Sequence, residues 1–311
     1  MPENRLFPPE GWKESALPSY QQLREAAKSG EILQGAVSRC DASHTLTIPL
    51  GNVRGFMPRE EVVAPWISGA QRDISILSRV GKDICFTVKS VGADEKGDAI
   101  ALLSRREAQE RAMECFLHML RPGMVLACRV THLAAFGAFL DIGCGIIAML
   151  PIELISVSRL SHSKERFREG QKILAVVKRF DRKERRITMS HRELLGTWME
   201  NASRFEIGET VPGIVRSVKE YGSFIELAPN LSGLAENRIG LVPGDRVSVY
   251  IKAIQPERMK IKLQVIEKLQ RTEIPPEYIY QVTDGILERW IYSPPNYEKE
   301  PVETDFTAFC P

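Results

Sequence analysis

Two phenylalanines three residues apart, Phe136 and Phe139, flank Gly137, and further along the chain lies the run Lys178-Arg179-Phe180-Asp181-Arg182-Lys183-Glu184-Arg185-Arg186. Flat rings on a sheet surface stack on any unpaired nucleobase, each contact contributing about 1–3 kcal/mol. Cations beside them release counterions from phosphates, so binding would weaken steeply with salt. These residue types could therefore hold a single strand of nucleic acid. Each also has a plainer use, because isolated aromatics are usually buried and a charge run is often a solvated hairpin tip. Strand alternation would put Phe136 and Phe139 on opposite faces. Both can face outward only if Gly137 marks a turn or bulge. Tyr221 and Phe224 repeat the spacing around Gly222, with Arg258 downstream.

Other chemistry finds little support. Gly143-Cys144-Gly145-Ile146-Ile147-Ala148 fits a dinucleotide-binding phrase, but that phrase must open a helix. Pro151 follows too soon, so a turn between strands is the better reading. No phosphate loop, zinc-protease pair or nucleophile elbow occurs. His44, His118, His132, His162 and His191 are scattered, and Cys40, Cys85, Cys115, Cys128, Cys144 and Cys310 form no metal-spaced pair. The expectation is a non-enzyme with no metal or other cofactor, its cysteines reduced and packed as small apolar groups.

The elements that must position the aromatics repeat. A G-x-x-x-x-[GC]-x-V phrase opens at Gly30, Gly123 and Gly208, each time leading an alternating apolar run. A second phrase begins at Gly81, Gly170 and Gly244, followed by an alternating run ending in Lys89, Lys178 or Lys252. Ile100–Ser104, Ile187–Ser190 and Ile261–Gln264 close the units as short apolar strands. Five short strands per unit, with glycine turns and no long internal helix, indicate a five-stranded Greek-key barrel of the oligonucleotide-binding (OB) type. The organisation read is a leader with a short helix over 1–29, units at 30–107, 120–194 and 205–269, a linker helix at 108–119, a linker at 195–204 and a tail at 270–311.

Phe136-Gly137-Ala138-Phe139-Leu140-Asp141-Ile142-Gly143 closely resembles the core phrase of the S1 RNA-binding domain, and Tyr221-Gly222-Ser223-Phe224 is an altered copy. From Gly30 to Leu269 the chain resembles the bacterial ribosomal protein S1 family. The resemblance implies a mainly β protein of three tandem S1-type OB barrels joined by short helices. It also implies base stacking on Phe136 and Phe139, with Asp181 and Arg185 matching a family pair in the late loop; beside them the basic run, Lys178 and Arg186 included, reads as phosphate contacts. Pro151 stands where members often carry histidine. In the third unit Tyr221 and Phe224 keep the aromatics, Glu236 takes the histidine position, and Gln255 and Met259 replace the late pair beside Arg258, so weaker binding is expected there. Ungapped alignment places Ser43 and Leu46 at the aromatic positions of the first unit. The family's degenerate leading domain docks to the small ribosomal subunit, which implies protein docking, through the first barrel to the 30S subunit, here.

Charge is uneven although the net is +2. Arg121 to Leu194 holds fourteen Lys and Arg against seven Asp and Glu, whereas the tail from Gln270 has eight acids against three bases. Lys164, Arg166 and Arg168 read as steering charges. No apolar run approaches the roughly 18–20 residues of a membrane-spanning helix, and Met1–Arg5 does not resemble a secretory signal, so a cytoplasmic, ribosome-associated protein is expected. The tail reads either as a hairpin across Thr283-Asp284-Gly285 packed on the third barrel or as a peptide for a partner, disordered from Asn296 onward. A protein–protein adaptor or a regulatory RNA chaperone is the alternative to a translation-associated protein that binds single-stranded mRNA.

Overall fold

In the computed structural model, the described residues are 7–12, 17–67, 72–236, 239–270 and 278–309. Helix α1 (Tyr20–Ser29) starts where the Ser19 hydroxyl and the Gln22 side chain each bond the other's backbone N–H. It ends at Gly30, whose left-handed φ of 69° lets its N–H reach back to the Ala26 carbonyl. The first unit follows as β1 (Leu33–Ala36), β2 (Arg39–Cys40), β3 (Leu46–Leu50), β4 (Val53–Met57), the short α2 (Asp73–Leu77), β5 (Asp83–Ala93) and β6 (Ala99–Ser104). Its sheet order is β1-β5-β6-β4-β3-β2. Because β1 and β2 are consecutive pieces of one extended path, this is the five-stranded circuit with its first strand divided at Val37-Ser38. Val37 donates to the Lys82 carbonyl on one side and Ser38 to the Thr47 carbonyl on the other, so the ladders continue through the break.

Ser104 then caps α3 (Arg105–Met119), its hydroxyl accepting the Glu107 N–H. The second unit is a closed barrel of β7 (Val125–Ala134), β8 (Gly137–Asp141), β9 (Ile147–Pro151), β10 (Lys172–Asp181) and β11 (Arg186–Ser190). After α4 (Trp198–Ala202) the third closes with β12 (Thr210–Lys219), β13 (Gly222–Ala228), β14 (Leu231–Ala235), β15 (Arg246–Gln255) and β16 (Lys260–Lys268). The protein is mainly β, built from tandem OB-type barrels. Each has its own apolar core, and α3 contributes Ala112, Met113 and Phe116 to that of the second.

The repeated lysine has a structural cause. Lys89, Lys178 and Lys252 each occupy the position skipped by the strand register, between Val88 and Ser90, Val177 and Arg179, and Ile251 and Ala253. A bulge residue bends its strand and re-aims its side chain. Lys89 meets Glu61 at 2.9 Å and Lys252 lies 3.9 Å from Glu236.

The tail does pack on the third barrel, but neither as a hairpin nor with a disordered end. Instead of a hairpin, 283–287 lies against the start of β7, where Val125 donates to the Gly285 carbonyl and Leu287 to the Gly123 carbonyl. Beyond Asn296 the chain is ordered: β17 (Arg289–Ile291) pairs with β18 (Glu303–Asp305), and Phe306 is buried against Val125, Val176 and Leu194. Tyr278 and Tyr280 pack on His191 of the second unit, and Trp290 and Tyr292 join the third core. The burial of these aromatics is what orders an otherwise polar, acidic segment. Ile274 to Glu277 and Cys310 lie outside the described residues.

Candidate nucleic-acid interface

Alternation along β8 sends Ala138 and Leu140 into the core and Phe139 outward. Phe136 precedes the strand and would point inward were the strand regular. Gly137 breaks the pattern with φ +154°, and a Cβ there would be driven into the Leu150 carbonyl oxygen. Both rings consequently reach the outer face, Phe136 being 60% exposed, with centroids 6.0 Å apart and planes at 89°. The third barrel repeats this. Gly222 has φ +155° against the Ala235 carbonyl, Tyr221 is 68% exposed, and Tyr221 and Phe224 lie 6.2 Å apart at 89°.

The register lays a row of side chains across the outside of the second barrel. His132 pairs with Phe139, Phe139 with Met149, Met149 with Thr188 and Thr188 with Arg179. One step along, Ile147, Arg186 and Asp181 form the next row. Two residues of strand rise is roughly 7 Å and two strand spacings about 10 Å, so Arg186 lies within a few nucleotides' span of Phe139. Arg179 and Arg186 are exposed and make no ion pair among the described residues. Met149 was missed in the sequence, and Arg179 was read only as one of a basic run, because only the pairing register shows which residues share that face.

The other basic residues are more engaged than their sequence suggested. Asp181 accepts the Glu184 N–H and so shapes the turn. Arg185 adopts φ 52° and places its guanidinium 5.1 Å over Trp66 of the first unit. Arg182 donates to the Leu117 and Leu120 carbonyls at the end of α3. Lys178 is half-buried at its bulge, its pKa held down by desolvation and by neighbouring Arg192. Arg258 is paired with Glu298 of the tail at 3.2 Å. Arg166 is not a steering charge at all: it is 1% exposed and binds Glu226 of the third barrel. Sequence could not show this, since the partner lies sixty residues away.

In the first unit the equivalent surface differs from the ungapped alignment. Arg39 pairs with Thr47 as His132 pairs with Phe139, so Thr47 and His44 hold the aromatic positions. Leu46 instead points into the core, fully buried. Phe56, opposite Thr47, lies under Arg54 at 5.3 Å. No Phe or Tyr pair stands there.

The apparent dinucleotide phrase is a turn. The buried Asp141 carboxylate accepts N–H groups from Gly143, Gly145 and Glu10. Burial, with the Glu10 carboxylate beside it, pushes the Asp141 pKa up to about 7. Glu10 is held below its usual value despite burial, because the guanidinium of Arg105 lies 2.6 Å away. Among the described residues no group of three or more His, Cys, Asp and Glu could hold a metal ion, and no helix is long and apolar enough to cross a membrane.

Tandem barrels with outward aromatic pairs define an OB-fold array of the nucleic-acid-binding type. The S1 RNA binding domain family matches residues 120–192, the barrel that carries Phe136 and Phe139. Small ribosomal subunit protein bS1 of Staphylococcus aureus is 27% identical over 272 residues, 82% of this chain and 66% of the relative. The bS1 protein of Leuconostoc lactis is 29% identical over 247 residues, 73% of this chain and 55% of the relative. The chain thus spans less than two thirds of the length of these relatives. A solved multidomain protein with nucleic acid binding domains from Streptococcus pneumoniae is 13% identical with a TM-score of 0.26, over 78% of this chain and 75% of that one. The second barrel thus matches the S1 RNA binding domain family, and most of the chain is similar to bS1 proteins.

Proposed function

We propose that this protein binds single-stranded RNA in the cytoplasm, in the context of translation, and performs no catalysis. The observation that carries the reading is the exposed Phe136–Phe139 pair, with unpaired Arg179 and Arg186 on the same outer surface, inside the segment that matches the S1 RNA binding domain. In this reading the second barrel grips an mRNA strand by stacking bases on the two rings, and Asp181 shapes the loop that carries the cations. The third barrel assists through Tyr221 and Phe224. Its Arg258 already has a carboxylate partner, which accords with weaker binding there. The first unit, lacking the ring pair, docks a protein partner, the small ribosomal subunit being the one suggested by the names of the relatives.

Titration of the full chain with a labelled single-stranded oligonucleotide tests the stacking. Phe136→Ala with Phe139→Ala should weaken binding at least tenfold, since each stack contributes about 1–3 kcal/mol. Unchanged affinity would remove the rings from the site. A protein adaptor is favoured over this only by the first unit, whose exposed Ile74, Leu77 and Val80 suit protein contact better than RNA. Co-sedimentation with small subunits that survives loss of the rings would assign ribosome docking to that unit, and loss of both together would count against the division of labour.

A further inference from the structure

The second and third barrels enclose a cavity of about 410 Å³ that neither forms alone. One wall is the third barrel's outer face, with Tyr221, Phe224, Ser217 and Ser232. Val157-Ser158-Arg159, from the loop after β9 of the second barrel, lines it as well. This loop is pinned. Val157 donates to the Asn230 side chain at 3.1 Å, and the Ser158 and Ser232 hydroxyls lie 3.0 Å apart.

Beneath it is a buried lock. The Glu226 carboxylate receives Arg166 from the second barrel at 2.7 Å and Arg216 from its own barrel at 2.9 and 3.1 Å, and Arg216 also reaches Glu165 of the second barrel at 2.6 Å. Arg216 borders the cavity, but its charge is consumed in this network. Arg159 is the reverse case: exposed, on a fixed loop, and without an ion pair or side-chain hydrogen bond among the described residues. The cavity is thus lined by stacking rings, by serine hydroxyls and by a cation without an ion pair among the described residues. Its size falls within the usual range for small-ligand sites, about 300–1,000 Å³.

We infer that this junction is a composite site for one nucleotide of a bound RNA strand, its base on Tyr221 and Phe224 and its phosphate on Arg159 of the neighbouring barrel. The inference rests on the RNA-binding reading and adds to it that the second barrel completes the third barrel's site. A strand crossing from one barrel to the next is then held at the crossing.

The test compares two oligouridylates on the full-length protein. One is about 6 nucleotides, enough for one barrel, and the other about 20, enough for both, given the range of 4–16 nucleotides per OB fold. Arg159→Glu should weaken the long strand about tenfold and leave the short one, bound at Phe136 and Phe139, unchanged. Arg159→Ala should lower the salt slope on the long strand by about 0.7, the contribution of one single-strand phosphate. Since Arg159 is exposed and unpaired, both variants should keep the wild-type melting temperature. Equal affinities of wild type and Arg159→Glu for the long strand would overturn the composite site. So would equal losses on both strands, which would mark a general field effect. Wild-type protein that bound neither strand would overturn the RNA-binding reading itself.

Discussion

Phe136 and Phe139 were legible in the sequence as residue types, and the glycine between them as the feature that lets both face outward. What the letters did not show was the cause, a carbonyl of the neighbouring strand that leaves no room for a Cβ at Gly137. His191 was dismissed as isolated, yet it anchors the tail. Its Nδ1 lies 3.1 Å from the Ile155 carbonyl, which can only accept, so Nδ1 carries the proton and Nε2, 3.2 Å from Tyr280, accepts the phenol hydrogen. Burial lowers its pKa to about 4 from 6.5. The sign follows from proton uptake: between these values the unfolded chain binds a proton that the folded one refuses. Stability from this group is therefore complete above pH 6.5 and is lost as pH falls towards 4, an effect on the order of 3 kcal/mol. Thermal midpoints measured across that window should fall less steeply for His191→Gln than for wild type. Parallel curves would show that His191 titrates normally.

At the scale of elements, the three repeated phrases were enough to place the strands and barrels, because turn glycines and alternating apolar residues are local signals. Bulges and inter-barrel contacts are not local. Lys178 reads from sequence as a phosphate ligand, and the register adds that it is one of three bulge lysines. The second and third barrels also share a docking device. Asp141 and Glu226 each lie two residues beyond the second ring of their barrel, and each is buried against residues from the preceding part of the chain. Asp141 takes the leader's Glu10 N–H, and Glu226 takes Arg166. Glu226→Ala would leave the guanidinium groups of Arg166 and Arg216 buried without their shared partner, a loss of about 3–5 kcal/mol. By contrast, Glu298→Ala breaks only the half-exposed pair with Arg258 and should cost less than about 1 kcal/mol. Urea denaturation of both variants checks the contrast, and equal midpoints would show that the lock does not stabilise the junction.

Across the whole molecule, both ends of the chain act as ties. The leader lies between the first unit and the second barrel: its Gly11 N–H donates to the Gln34 side chain of the first unit, the Cys144 N–H donates to the Pro8 carbonyl, and Arg129 donates to the Glu10 carbonyl. The tail runs from Tyr280 at the second barrel to Tyr292, whose hydroxyl bonds the Asn230 carbonyl of the third. The leader's role was not legible and the tail's only as packing on the third barrel, because short segments give no periodicity and their binding grooves are assembled from distant parts of the sequence. The ties leave the ring pairs of both barrels exposed while fixing the loop that joins their faces. The functional account depends on those rings meeting bases directly, and photocrosslinking reports that contact at residue level. With 4-thiouridine RNA of about 20 nucleotides, long enough for more than one OB site, peptide mapping should place crosslinks at Phe136 and Phe139, with weaker ones at Tyr221 and Phe224. Crosslinks confined to the first unit or the tail, with both ring pairs unmodified, would contradict it.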